Sequence, residues 1–167
     1  MRINNDRGSA LVMVMMFTLI LTILGTAMLG VAINEYMMEK AHRNSVKAYY
    51  LAEAGMEKAI YEITDLESIE GSIDIGDIWE MESEDEDLVD SGIAGNFTVT
   101  VDDISLTGTV YVDELETEVY KYIYEIILTA EGQVDGAAKR LEAKIEVEDY
   151  VEDIENKVHV IYWKQTS

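Results

Sequence analysis

The chain contains no cysteine and no proline, and its basic residues are few. Without cysteine it can form no disulfide, no thiol nucleophile and no thiolate metal site. Without proline, nothing in the sequence forces a kink in a long helix. Only 12 Lys and Arg residues stand against 34 Asp and Glu, for a formal net charge of −22. Because a field of that sign repels nucleic acid, we expect no nucleic acid among the partners of this protein.

The longest apolar run covers residues 10–33 and contains no charged side chain. As a helix rising 1.5 Å per residue it would be roughly 36 Å long, enough to cross a hydrocarbon core of about 30 Å. A secretory signal peptide is the alternative, but its apolar region is typically only about 7–15 residues long. The length of the run, and the helical pattern that follows it directly, favour a membrane-spanning helix.

A second helical pattern continues out of the apolar run. Its apolar residues recur at spacings of three and four: Tyr49, Ala52, Met56, Ala59 and Ile63. The sequence therefore predicts one helix from about Ser9 to about Asp65, with residues 9–33 in lipid and residues 34–66 amphipathic.

The rest of the chain changes character twice. Residues 67–94, which are rich in acid and contain Gly71, Gly76 and Gly92, are predicted to form an acidic loop. Residues 95–167 show a period of two, which predicts an antiparallel sheet region. The dipeptide Asp135-Gly136 predicts a tight turn, and Gly132 suggests a bulge beside it.

The predicted strands share an alternation of apolar and polar residues. Three strands have a clear inward set: Phe97, Val99 and Val101; Tyr120, Tyr122, Tyr124, Ile126 and Leu128; and Leu141, Ala143, Ile145 and Val147. Residues 109–112 and residues 157–163 are predicted to form two further strands. A meander with one dry face needs a cover, which the amphipathic part of the helix supplies. The predicted fold class is α+β, one long N-terminal helix packed on an antiparallel β-meander.

Two stretches of the sequence resemble the type IV pilin superfamily, in particular PilX-type minor pilins. One is the junction Arg7-Gly8-Ser9 directly before the apolar run. The other is a helix signature rich in small residues: Ala48-Tyr49-Tyr50-Leu51-Ala52-Glu53-Ala54-Gly55-Met56-Glu57. The resemblance covers about the first third of the chain, and the strand region is generic beside it.

The resemblance implies a pilin-like fold and a structural or assembly function in a type IV pilus or related secretion filament. Residues 1–8 would be a leader that prepilin peptidase removes after Gly8 before it methylates the new amine of Ser9. The partners implied are other pilins, bound through the N-terminal helix, the peptidase, an inner-membrane assembly platform and the lipid bilayer. The resemblance implies no cofactor.

The sequence departs from the pilin pattern at Met13. Most pilins carry a glutamate as the fifth residue of the mature chain, and counting from Ser9 that place is Met13. The glutamate pairs with the charged amine of a neighbouring subunit, because an unpaired charge in hydrocarbon is costly. Its absence implies a minor subunit at the filament tip or in a priming complex.

Other functions have weaker support in the residues. A single-span anchored binding or sensor domain with an uncut leader is the main alternative. The acidic run at residues 83–87, with Asp74 and Asp77, lacks the order of an EF-hand loop and is expected to be a solvated loop. His42 and His159 stand far apart and have no metal-ligand spacing. No catalytic motif is present, so we expect neither a metal site nor an enzyme.

Overall fold

The computed structural model describes residues 6–66, 68–81, 94–114, 117–150 and 156–166. Helix α1 (Asp6–Thr64) is followed by five strands: β1 (Ile78–Met81), β2 (Asn96–Glu114), β3 (Thr117–Val134), β4 (Ala137–Tyr150) and β5 (Lys157–Thr166). The strands form one antiparallel sheet in chain order. The predicted α+β class, a long helix packed on an antiparallel meander, is confirmed.

The chain divides into two compact units, Met1–His42 and Arg43–Ser167. The described part of the first unit is the N-terminal portion of α1. The second unit holds the C-terminal portion of α1 and the whole sheet. Its core lies between that portion of the helix and one face of the sheet.

The core contains the helical stripe that the sequence predicts. Ala52, Met56, Ala59 and Ile63 are fully buried, while Tyr49 is half-buried at the margin. The structure adds two buried helix residues that the predicted stripe omitted, Ala48 and Leu51. The sheet contributes the inward residues of its alternating strands, among them Phe97, Val99, Val101, Ile126, Leu128, Leu141, Ala143, Ile145 and Val147.

Strand β2 corrects one prediction. Residues 109–112 were expected to form a strand of their own, but they belong to the same 19-residue strand as Phe97. Its pairing with β3 shifts between Val101 and Asp103 and again between Leu106 and Gly108. Each shift places an extra residue in β2, which breaks the period of two and makes one strand look like two in the sequence.

Strand β1 corrects another prediction, because it lies inside the segment expected to be loop. Ile78 pairs with Thr100 and Met81 with Phe97 along the edge of β2. Its sequence, Ile-Trp-Glu-Met, does not alternate between apolar and polar residues, so β1 leaves no clear sequence signal. The acidic run at residues 83–87 lies outside the described residues.

The predicted turn is confirmed and the predicted bulge is not. Asp135 and Gly136 have φ of 47° and 82°, the positive values that the tightest hairpin turns require. Gly132 pairs in unbroken register with Phe97 on one side and Lys139 on the other. Strand β5 extends to Thr166, three residues beyond its predicted end.

Candidate membrane anchor and helix–sheet interface

The N-terminal part of α1 has apolar side chains on all sides, and they are exposed. The exposed fraction is 64% for Met13, 63% for Phe17 and 75% for Met28. Among the described residues, one helix is long and apolar enough to cross a membrane, Ser9–Thr64, and its most apolar window is not buried at all. A surface of this kind is compatible with single-pass anchoring in a lipid bilayer.

The hydroxyls of three threonines in this segment donate hydrogen bonds to backbone carbonyls of the same helix. The hydroxyl of Thr18 donates to the carbonyl oxygens of Val14 and Met15, at 3.1 and 2.9 Å. Those of Thr22 and Thr26 donate to carbonyl oxygens four residues earlier, at 2.7 and 3.0 Å. Since hydrocarbon offers no hydrogen-bond partner, hydroxyls satisfied in this way suit a lipid-facing helix.

The residues of the expected leader junction lie at the start of α1. Arg7 and Gly8 belong to its first turn, and Ser9 follows as an exposed residue. Met13 lies one turn further along and exposes most of its side chain. Residues 10–33 contain no Asp or Glu, so the apolar segment has no carboxylate near Met13. Asp6, at the start of α1, is the acid that precedes Met13 in the helix.

The helix signature lies in the helix–sheet interface. Ala52, Gly55 and Met56 are buried, Tyr49 and Glu53 are half-buried, and Ala54 is exposed. Apart from Ala54, the small residues of the signature therefore face the sheet. This inward face explains the signature's composition as packing within one chain.

Two glycines allow this close approach. A Cβ on Gly55 would lie 2.6 Å from Cδ2 of Phe97 in β2, well inside van der Waals contact. A Cβ on Gly132 in β3 would collide with the carbonyl oxygen of Ala48 and lie 2.6 Å from the amide nitrogen of Ala52. Because Phe97 and Gly132 are directly paired across the two strands, a large and a small residue together shape the groove that receives the helix.

Two buried polar residues hold the segment after the helix against the sheet. Asp149 is 3% exposed, and its Oδ2 accepts hydrogen bonds from the amide of Ile69 at 3.0 Å and the hydroxyl of Ser68 at 3.3 Å. Asn156, also 3% exposed, donates from Nδ2 to the carbonyl oxygen of Leu66 at 2.8 Å. Sequence reasoning missed both. One signal was present, since Asp149 takes the inward place that follows Val147 in the alternation of β4.

The outer face of the sheet carries ion pairs between neighbouring strands. Arg140 lies 2.7 Å from Glu131, and its hydrogen bond holds the pKa of that carboxyl below its usual value. The hydrogen bond between Lys121 and Glu148 likewise lowers the pKa of the Glu148 carboxyl, and it raises the pKa of Lys121. The charged side chains in these pairs lie on the solvent face of the sheet, and the inner face carries apolar residues.

The described residues contain no group of three or more His, Asp or Glu side chains placed to hold a metal ion. Asp74 and Asp77 form a local turn instead, in which the amide of Asp74 donates to Oδ2 of Asp77 at 2.7 Å. His42 and His159 are both exposed.

Comparison of the chain with protein-family models, with curated proteins and with solved structures finds no match.

Proposed function

We propose that this protein is a minor pilin, a structural or assembly subunit of a type IV pilus or a related secretion filament. The observation that supports this most strongly is that one helix, α1, combines two surfaces. Its first part is uncharged and exposed from residue 10 to residue 33, and its later part is buried on the sheet from Ala48 to Ile63. A subunit built in this way has one segment for the membrane or a helical filament core and another for its own domain.

The leader junction supports processing after Gly8. Residues 1–8 carry Arg2 and Arg7, and a basic tail this short is easily retained on the cytoplasmic side. Because Lys40, Arg43 and Lys47 follow the apolar run, charge alone does not set the orientation, which comes from the resemblance and from the large acidic domain. Gly8, which has no side chain, leaves the backbone at the junction unhindered for a peptidase. Ser9 then becomes the N-terminal residue and the site of N-methylation in the proposed mature subunit.

Met13 supports a place at the tip or in a priming complex. A subunit inside a filament body is expected to offer a carboxylate to the charged amine of a neighbour, since an unpaired charge in hydrocarbon is costly. Residues 10–33 hold no acid, so this chain offers no such partner there. A tip subunit has no neighbour beyond it that needs one.

The proposed location is the cytoplasmic membrane, with the acidic domain on the outer side and at the cell surface after assembly. The partners are other pilins or pseudopilins, prepilin peptidase, the inner-membrane assembly platform and the bilayer. Beyond residue 33 the chain carries 33 acids and 10 bases, a balance that suits an aqueous exterior.

The intact mass of the membrane-bound form tests this proposal. Cleavage after Gly8 removes eight residues, and methylation then adds one methyl group to Ser9. The variant Gly8→Arg should leave the uncut precursor in cells that contain a working prepilin peptidase, whereas Asn4→Arg, which adds the same charge away from the junction, should mature normally. Full-length mass for the wild type would favour the alternative, a single-span anchored binding or sensor domain, and normal maturation of Gly8→Arg would refute the proposed junction.

A further inference from the structure

The sheet has two edges that no described strand covers. One is the outer edge of β5, which is the last strand in the sheet order. The other is residues 103–114 of β2, because β1 pairs with β2 only as far as Thr100, and Gly76 and Asp77 bond to the backbone of Val101. Free strand edges present unpaired backbone groups and can pair with another chain.

The two edges carry opposite charge. Strand β5 contains Lys157, His159 and Lys164 and no acid, although the chain as a whole is strongly acidic. Residues 102–114 contain four acids and no base. On the described part of that edge Asp102 and Asp103 are both exposed. The basic edge of one copy therefore attracts the acidic edge of another, and this attraction opposes the general repulsion between two acidic domains.

The two edges also expose aliphatic side chains. Val160 and Ile161 of β5 are 48% and 49% exposed, and Leu106 and Val110 of β2 are 55% and 41% exposed. Val160 pairs with buried Ile145 and so belongs to the inner face of the sheet, and Leu106 shares that face because it pairs with buried Tyr124. Joining the edges would partly remove Val160 and Leu106 from water and extend the inner apolar face from one sheet to the next.

Strand direction and length fit such a joint. Each strand runs antiparallel to the next, so β2 runs in the same direction as β4 and opposite to β5. A second copy in the same orientation would therefore meet β5 with an antiparallel β2. The ten residues of β5 fit within the twelve residues of β2 that β1 leaves uncovered.

One register matches the faces of the two strands. Full overlap with Trp163 opposite Leu106 places Val160 opposite Thr109, both pairs on the inner face. On the outer face it places Lys164 diagonal to Asp103, a separation of about 7–8 Å between Cα atoms that a lysine side chain can span. In a single copy Lys164 pairs with Glu142 of β4 at 2.7 Å, so in the joint its ammonium would lie between two carboxylates. Within this overlap each strand has one extra residue, at 161 in β5 and 107 in β2, and both lie between the Trp163–Leu106 and Val160–Thr109 pairs.

We propose that β5 of one copy pairs with residues 103–114 of β2 in a second copy and so continues the sheet between subunits. The contact is heterologous, because the two edges differ, so each added copy leaves one free edge of each kind and the copies form a row. The pairing involves only residues beyond the apolar helix, so it is expected whether or not the chain is a filament subunit.

Disulfide cross-linking of the full-length chain in detergent micelles tests the pairing directly, because the chain has no cysteine of its own. One sample carries Val160→Cys and the other Thr109→Cys, with a short tag on one of them so that the mixed dimer has its own mass. Mixing the two should give several-fold more cross-linked dimer than either variant alone. Glu146→Cys in strand β4, which is paired on both sides, is the matched control and should cross-link poorly with Val160→Cys.

Charge exchange tests the register. Lys164→Glu on the Val160→Cys chain, or Asp103→Lys on the Thr109→Cys chain, should each lower the mixed cross-linking several-fold at low salt. The two changes together should restore it, since the attraction returns with its sign reversed. Efficient cross-linking of Val160→Cys with itself would show a two-fold β5–β5 contact instead. No cross-linking above the Glu146→Cys control, or no rescue by the charge exchange, would also overturn the proposal.

Discussion

Gly55 in helix α1 lies directly against the ring of Phe97 in strand β2. A Cβ at Gly55 would be 2.6 Å from Cδ2 and 2.9 Å from Cγ of that ring, so no larger residue fits without movement. Both residues are buried. The contact fixes how closely the helix approaches the sheet, and it gives a physical reason for glycine at one position of the helix signature.

Gly55→Ala should therefore lower the free energy of unfolding by about 1–3 kcal/mol, the usual cost of overpacking a core, despite the better helix propensity of alanine. Chemical denaturation of the full-length chain measures this. Gly108→Ala is the matched control, because its new Cβ would lie 3.8 Å from Ile123, an ordinary contact. Combining Gly55→Ala with Phe97→Leu should recover part of the loss, and additive losses would show that the ring is not what Gly55 accommodates.

Met56→Asp should destabilise the domain by several kcal/mol. Met56 is fully buried in the stripe that faces the sheet, so the substitution places a carboxylate in an apolar core with no partner. Thermal unfolding followed by circular dichroism measures the change. Ala54→Asp adds the same charge two residues away on an exposed position and should have little effect. Equal melting of the Met56→Asp protein and the wild type would show that this stripe faces solvent.

The sequence predicted the parts of the fold that repeat. The helical stripe that includes Met56 and the alternation from Leu141 to Val147 are periodic over many residues, and the structure places both in the core as expected. The turn at Asp135 and Gly136 was predictable because few residues tolerate positive φ. Each of these features depends on local chemistry alone.

The remaining features depend on contacts between distant residues. The sequence suggests a bulge at Gly132, yet this glycine instead leaves room for the backbone of Ala48 and Ala52, about eighty residues earlier in the chain. Asp149 binds the backbone of Ile69, which no local pattern reveals. Strand β1 is defined by its pairing with the edge of β2, a contact with residues about twenty positions later in the chain. The expected leader junction and the role of Met13 depend on the resemblance and on encounters with other proteins, so they stay predictions.

The ion pair between Lys121 and Glu148 should give a distinct pH dependence. The folded pKa of Glu148 is lowered from 4.5, chiefly by its hydrogen bond to Lys121, so its stabilising effect is present above the unfolded pKa. That effect disappears as the pH falls through the lower, folded pKa. The folded pKa of Lys121 is raised from 10.5, so its part is present below the unfolded value and is lost as the pH rises through the folded one.

Glu148→Gln should accordingly lower the free energy of unfolding at pH 7, and the difference from wild type should shrink as the pH is lowered below 4.5. Urea unfolding of both proteins between pH 3 and pH 7 measures this difference, in which the general repulsion among the acids largely cancels. Glu57→Gln changes the same charge at an exposed site of α1 and serves as the control. A difference that stays constant across this range would show that the ion pair contributes nothing to stability.

Met13 distinguishes a tip subunit from a body subunit if the proposed function is right. Before assembly, Met13→Glu would place a carboxylate among the apolar residues 10–33, at a cost of about 3 kcal/mol on membrane-insertion scales. In a filament body that carboxylate could pair with the amine of a neighbour and recover much of the cost. Met13→Gln is the matched control, because it is polar and similar in size but cannot form the ion pair.

Labelling of this subunit on purified filaments should show sparse signal at filament ends for the wild type. Met13→Glu should either reduce the amount of subunit or let it spread along the shaft, and Met13→Gln should not let it spread. Dense labelling of the whole shaft by the wild type would mean that the filament body accepts a subunit without this carboxylate. The proposed place at the tip would then be wrong, although cleavage after Gly8 would still identify a processed filament subunit.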